Sequence, residues 1–380
     1  YKFMQYFDYL SDCDLSSLFF KPPEAFFKTT ERETLRLAVG GLLYTPAFNR
    51  QIARSIINGK IPELTSMAVC LEDSVGDDDR IRCVENTQRQ FEQLAAALDN
   101  GSLPENRLPL LFVRVKDCAM LEDLAEFFIS YSRVITGVIL PKAAPDALGR
   151  ALVLAADIGR RACEPFYVMP ILESRELMER DDRTIFLREL REIADESDQI
   201  LNIRVGATDL CGLYGIRRSV DTPIYSIAVA AGIIADIVRI FAIDDRYTVS
   251  GPVWEYFSTF ARACALRRSD EIDSLLREVR LDLQNGILGK TCVHPTQLPL
   301  VQASYTVPYE QYQDALGILS GDQGTVGVLA SVRQNKMNEL KPHTLWARKL
   351  LQRAHVYGVY QENTNAAGFL RAVYGGEFKA

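Results

Sequence analysis

Eight short apolar runs, ending in polar or Gly/Pro punctuation and separated largely by helical patterns, restrict most strongly how this chain can fold. They are LLYTP from Leu42, MAVCLEDSV from Met67, LLFVRV from Leu110, GVILPK from Gly137, FYVMPILES from Phe166, LNIRVGATDL from Leu201, YTVSGPVW from Tyr247 and KTCVHP from Lys290. Their apolar residues are nearly continuous rather than alternating. Strands covered on both faces read this way, and such strands belong to parallel sheets. Between them lie amphipathic stretches such as NTQRQFEQLAAALDN and APDALGRALVLAADIGRRA. Eight strand-then-helix units over roughly 250 residues match an α/β fold closed as a (β/α)8 TIM barrel, in both number and length. If a weaker run such as the seventh were loop, a smaller open sheet would result.

The pattern divides the chain into an N-terminal segment (1–41), a barrel catalytic domain (42–303) and a C-terminal helical extension (304–380). In the extension, YEQYQDALGIL, TVGVLASVRQNKMNEL and HTLWARKLLQRAHVYGVY read as amphipathic helices with no strand between them. Trp346, Leu350, Leu351, Val356 and Tyr357 are more apolar surface than one helix can hide, so the extension is expected to pack on the barrel or on another subunit of a homo-oligomer. The most apolar stretch, Ile224 to Phe241, contains Asp236 and Arg239 and reads as a buried helix rather than a membrane span. Asp221 and Thr222 are its expected cap, Pro223 its first residue, and Ile227, Ala231, Ile234 and Val238 its inner face.

Composition narrows the function. A formal charge of −7 with no basic block argues against nucleic-acid binding, which draws on Lys and Arg for its affinity. The eight cysteines form no CxxC pair, so zinc-ribbon and thioredoxin-like readings fail. Several sit in apolar runs as small hydrophobes, and Cys70, Cys211 and Cys292 read as core. A reducing, cytoplasmic setting without a membrane partner is expected, and the N-terminus carries no signal-peptide pattern. Glycine-rich dinucleotide loops, a Walker lysine loop and a nucleophile elbow are all missing from the sequence.

In a barrel of this type the side chains at the C-terminal ends of the strands form the site. Those ends carry Glu72 and Asp73, Arg114 and Lys116, Lys142, Glu173 and Ser174, Thr208 and Asp209, Ser250 and Glu255, and His294. Carboxylates gathered at one mouth repel unless a cation sits among them. Mg²⁺ suits such oxygen ligands, with Mn²⁺ as a possible substitute, whereas His and Cys are too scarce there for zinc. Arg114 then forms the other half of a clamp on a carboxylate or a developing enolate oxygen. The pair Glu72 and Asp73 reads equally as a solvated loop start. Trp254 and Tyr256 would either stack on a substrate or pack at the rim.

The strings LYTPA, CLEDSVGDDDR, VRV, ILPK, MPILES, VGATDLCGLYG and GKTCVHPTQ, in this order between Leu42 and Gln297, resemble the HpcH/HpaI aldolase and citrate lyase β-subunit superfamily. With its long C-terminal region, the chain looks most like the branch of C–C bond lyases of the TIM-barrel fold found in bacterial tellurium-resistance and stress gene clusters. The resemblance implies Mg²⁺-dependent aldol or Claisen-type cleavage through an enolate, on a small oxo or hydroxy acid, a CoA thioester or a sugar-derived carbonyl compound. It makes Glu173 and Asp209 the metal ligands and Arg114 the binder of the substrate carboxylate or oxyanion. It places Glu72 and Asp73 behind the metal ligands or near the metal-bound water, as catalytic groups; Lys142 and His294, at the ends of strands four and eight, are expected to bind the substrate. Gly289, Lys290, His294 and Pro295 match a signature of the eighth strand at the barrel rim.

The sequence also departs from that pattern. The pyruvate-aldolase branch has a catalytic histidine after strand one or two, but the histidines here are His294, His343 and His355, so the general base is open. A histidine before proline at a strand end is more often a structural hydrogen-bond partner than a catalytic group. The charged helical segment RELMERDDRTIFLRELREIADES, between Glu173 and Asp209, looks longer than in citrate lyase β-subunits and is expected to reshape the pocket, and with it the substrate. A thioester hydrolase or synthase would use the same metal site. A weakly active scaffold subunit of a stress-response biosynthetic pathway would not need the acidic strand ends.

Overall fold

The computed structural model describes residues 3–72, 79–258, 269–321, 328–331, 333 and 337–375. The N-terminal segment holds α1 (Asp12–Leu18), β1 (Phe19–Lys21) and α2 (Arg32–Ala38). The first half of the barrel runs β2 (Gly41–Pro46), α3 (Ile52–Ile57), β3 (Ser66–Cys70), α4 (Arg80–Asp99), β4 (Leu110–Arg114), α5 (Cys118–Asp123), α6 (Ala125–Ser130) and β5 (Ile135–Leu140). The second half runs α7 (Pro145–Ala162), β6 (Tyr167–Leu172), α8 (Arg180–Asp195), β7 (Ile203–Val205), α9 (Ala207–Leu213), α10 (Ala228–Phe241), β8 (Val249–Ser250), α11 (Asp270–Gln284) and β9 (Lys290–Cys292). Beyond it lie α12 (Leu298–Tyr305), α13 (Tyr309–Gly321), β10 (Val328–Ala330), β11 (Met337–Glu339), α14 (Leu340–Tyr357), β12 (Val359–Tyr360) and α15 (Ala366–Tyr374).

Each of the eight apolar runs contains a strand. They pair in parallel in the order β8-β7-β6-β5-β4-β3-β2-β9, and a bridge between Gly251 and Lys290 closes the ring. Every residue of β3, β4, β5 and β6 is buried, as the continuous apolar runs require. The (β/α)8 barrel is therefore observed.

Several boundaries differ from the sequence reading. The sixth run stops being strand at Val205, and Ala207 to Leu213 turn into α9, whose Ala207, Leu210 and Cys211 are its buried side. Pro223 does not start the apolar helix. Ile224–Ser226 form a 3-10 turn whose first N–H, that of Ile224, is taken by the buried carboxylate of Glu278 (2.9 Å); Ile227 is extended (ψ 98°), so α10 begins only at Ala228. Its buried stripe is Ala230, Ile233, Ile234, Ile237 and Phe241, rotated from the expected one. In the extension, part of the second expected helix is instead the antiparallel hairpin of β10 and β11.

The extension covers itself within the chain. Leu350, Ala354, Val356 and Tyr357 are buried, Trp346 is half-exposed, and α14 packs on α13 and α2. The Tyr357 ring sits 4.5 Å from that of Tyr6, and its hydroxyl donates to the Leu37 carbonyl (2.6 Å). β12 pairs with β1, so the two ends of the chain lock together on one side of the barrel.

A buried ion network fixes the closing strand. Lys290, fully buried at the start of β9, donates to Glu278 (2.6 Å) and Asp282 (2.8 Å) on α11. Glu278 also takes Arg218 (2.7 Å), and Asp282 takes the Tyr225 hydroxyl (2.5 Å). Lys290 thus ties a strand to a helix behind it and does not present its charge at the rim. Removing one partner of a buried pair strands the others without compensation. Lys290→Met is expected to cost about 3–5 kcal/mol of unfolding free energy, read by urea denaturation. A loss below 1 kcal/mol would contradict this role for the network.

Candidate active site

The strands converge on a cavity of about 340 Å³ at the C-terminal end of the ring. Tyr44, Arg114, Glu173, Arg204, Asp209 and Thr291 are among its walls. Arg114 ends β4 and is buried. A charge inside a parallel strand must be paired, and Arg114 meets Glu72 at 2.8 Å and Glu173 at 3.5 Å. Its guanidinium lies 6.0 Å from the centre of the Tyr44 ring and donates to the Cys70 sulfur (3.8 Å). Burial alone would lower its pKa, but Tyr44, Cys70, Glu173 and Glu72 outweigh that and push it up, so Arg114 is a permanent cation here.

Glu173 follows β6 and is almost wholly buried. Its Oε1 accepts the backbone N–H of Lys142 (3.0 Å). Lys142 aims that N–H by adopting a left-handed backbone (φ 46°), a conformation held for a non-glycine only where the surroundings enforce it. The other face of the carboxylate lies over Gly206, where any Cβ would collide with it. Glycine at this position is thus what lets the end of β7 and the Glu173 side chain occupy adjoining space. Burial, with the nearby Asp209 charge adding to it, raises the Glu173 pKa to about 7 against the opposing pull of Arg114 and Lys142.

Asp209 stands on the first turn of α9, four residues past the end of β7 and about one-third exposed. The Lys142 ammonium lies 2.7 Å from Glu72 and 3.9 Å from Asp209. Thr208 donates to Glu255 (3.0 Å), which follows the neighbouring strand β8. The structure therefore brings Glu72, Arg114, Lys142, Glu173 and Asp209 to one place. Asp73 lies outside the described residues.

His294 has a different setting. Its Nδ1 is shared with the Thr296 hydroxyl (2.8 Å) and N–H, capping the turn at Pro295–Gln297, and its ring stacks on Phe257 at 4.4 Å. Its neighbours Thr291 and Val293 line the cavity. Trp254 is buried beneath the Arg218 guanidinium and packs in the wall, and Tyr256 donates to the Arg218 carbonyl. Cys70, Cys211 and Cys292 are buried, and the described cysteines are all free thiols.

Among the described residues no group of three or more His, Cys, Asp and Glu side chains could hold a metal ion. Two clustered carboxylates, one of them buried and kept charged only at an energetic cost that a cation would offset, fit Mg²⁺, which takes one or two protein carboxylates and completes its shell with water and substrate oxygens. That donor set does not fit zinc. Tyr44 and Arg204 were not picked out from the sequence, although Arg204 interrupts LNIRV just as Arg114 interrupts LLFVRV.

No curated protein matches the sequence. Among solved structures, the CitE protein of Mycobacterium tuberculosis in complex with magnesium, acetoacetate and coenzyme A is 19% identical, with a TM-score of 0.54 over 84% of this chain and 99% of that one. A citrate lyase of Burkholderia xenovorans LB400 is 13% identical, with a TM-score of 0.62 over 87% of this chain and 95% of that one. At such identities the likeness is one of fold. The family described as C–C bond lyases of the TIM-barrel fold matches residues 33–359, most of the chain and the whole of the barrel. The chain belongs to the C–C bond lyases of the TIM-barrel fold.

Proposed function

We propose that this enzyme is a Mg²⁺-dependent lyase that cleaves or forms a C–C bond through an enolate of a small oxo or hydroxy acid, free or as its thioester. The observation that carries the reading is one cavity wall holding a buried, permanently charged arginine beside two carboxylates suited to a hard cation. Glu173 and Asp209 would hold Mg²⁺. When bound, the ion supplies Lewis-acid polarisation of the substrate carbonyl. Magnesium in the CitE complex of Mycobacterium tuberculosis is in keeping with this choice.

The chain's own groups divide the remaining work. Arg114, fixed by Glu72 and stacked near Tyr44, keeps its fork beside the site where negative charge grows as the C–C bond breaks. A preformed donor of this kind costs no reorganisation in the transition state. Glu72, between Arg114 and Lys142, is assigned the proton transfer that a histidine performs elsewhere, with Asp73 as its neighbour in sequence. Lys142 closes the mouth over Asp209. Calorimetric titration of the purified protein with Mg²⁺ tests the reading: one site per chain is expected, and no binding of either Mg²⁺ or Mn²⁺ would sink it.

A further inference from the structure

Five arginines are buried among the described residues, and four of them have a carboxylate. Arg36 pairs with Glu33 and Asp245, Arg114 with Glu72, Arg183 with Asp236, and Arg218 with Glu278. Arg204 is the exception. It is 1% exposed, and no ion pair joins it to a carboxylate among the described residues. One Nη donates to the Thr291 hydroxyl (2.9 Å), the other approaches the Asn202 amide oxygen (3.4 Å), and Nε–H has no acceptor. Its electrostatic surroundings are the neutral groups Tyr44, Tyr305 and Cys292.

A buried cation without a counter-charge is among the costlier features a fold can carry. This one is part of the cavity wall. We propose that Arg204 is a second anion anchor at the floor of the cavity, and that the substrate is a diacid whose remote carboxylate supplies the missing counter-charge. The inference rests on the lyase reading for the position of the reacting end. Arg204 pairs in register with Ile171, two residues before Glu173. Two residues along a strand span about 7 Å, so the second carboxylate sits one layer below the metal carboxylates, within reach of a short 2-oxo diacid. Arg114, already compensated by Glu72 and Glu173, serves the reacting end. Arg204 accepts the remote end through the planar fork that a carboxylate matches.

The test compares 2-oxoglutarate with 2-oxopentanoate, which has the same chain length but no remote carboxylate, by calorimetry on the full chain with and without Mg²⁺. Wild type is expected to bind the diacid at least tenfold more tightly than the monoacid. Arg204→Gln is expected to bring the two to parity while keeping Mg²⁺ and 2-oxopentanoate affinities within about twofold. Thr291→Val, which removes one hydrogen bond from Arg204 and leaves its charge, is expected to reduce the preference several-fold. An unchanged preference in a folded Arg204→Gln protein would overturn the proposal and leave Arg204 as a strut between Asn202 and Thr291. Equal wild-type affinities for the two acids would overturn it without any variant. Failure of Mg²⁺ to bind would count against the lyase reading alone, because the diacid preference is also measured without the metal.

Discussion

Arg114→Lys is expected to fold with near-native stability and to lose about 2–4 kcal/mol of transition-state stabilisation, the range for removal of one oxyanion donor. The lysine keeps the charge that Glu72 and Glu173 require, so the acidic strand ends stay compensated. It cannot reproduce the planar fork, and its ammonium is a more strongly hydrated point charge. The loss should fall on kcat and on kcat/KM together, because the interaction strengthens as enolate charge develops. Arg114 also bridges two carboxylates, which gives a competing outcome. If that bridge were its whole purpose, the lysine variant would keep most of its turnover, and steady-state kinetics on any accepted substrate separates the two cases.

Asp209→Ala should produce a loss of similar size, with little effect on the fold. About one-third exposed, its carboxylate makes a long contact of 3.9 Å with Lys142, so removing it should change unfolding free energy by less than about 1 kcal/mol. Mg²⁺ affinity is expected to fall at least about 100-fold, since a ligand matters no less than the outer groups that cost 10- to 100-fold. Turnover at fixed Mg²⁺ should fall in parallel and recover in part at high Mg²⁺. Unchanged Mg²⁺ affinity by calorimetry would remove Asp209 from the metal site.

The barrel was legible because its strands are covered on both faces. That burial writes continuous apolar runs into the sequence, and a register of eight such runs has few other solutions. Boundaries were less legible where the deciding contact is distant. Nothing near Pro223 in the chain shows that the Ile224 N–H will meet Glu278 more than fifty residues away, or that Ile227 will be extended and part the first turn from α10. The run through Gly206 to Leu210 keeps its apolar character because α9 also buries one side, so composition alone does not mark the change from strand to helix. Likewise Lys290 looked like a rim residue, because its partners Glu278 and Asp282 lie four residues apart on a buried helix face that sequence spacing does not reveal.

Within the site, the residues at strand ends were readable from the barrel rule and from the family strings. Arg204 was open to the argument applied to Arg114, a charge inside a parallel strand that needs a partner. What the sequence did not disclose is that the fold supplies that partner to Arg114 and that, among the described residues, no carboxylate pairs with Arg204. Lys142 gives a third case: its part in holding Glu173 comes from a backbone N–H in a left-handed conformation, a feature with no signature in residue type.

The most direct test of the account is a crystal structure of the protein grown with Mn²⁺ and 2-oxoglutarate, with the metal located by its anomalous scattering. The account predicts a single strong peak between the Glu173 and Asp209 carboxylates, with the 2-oxo acid end of the ligand beside Arg114. A peak elsewhere in the chain, or a ligand seated away from Arg114, would contradict it.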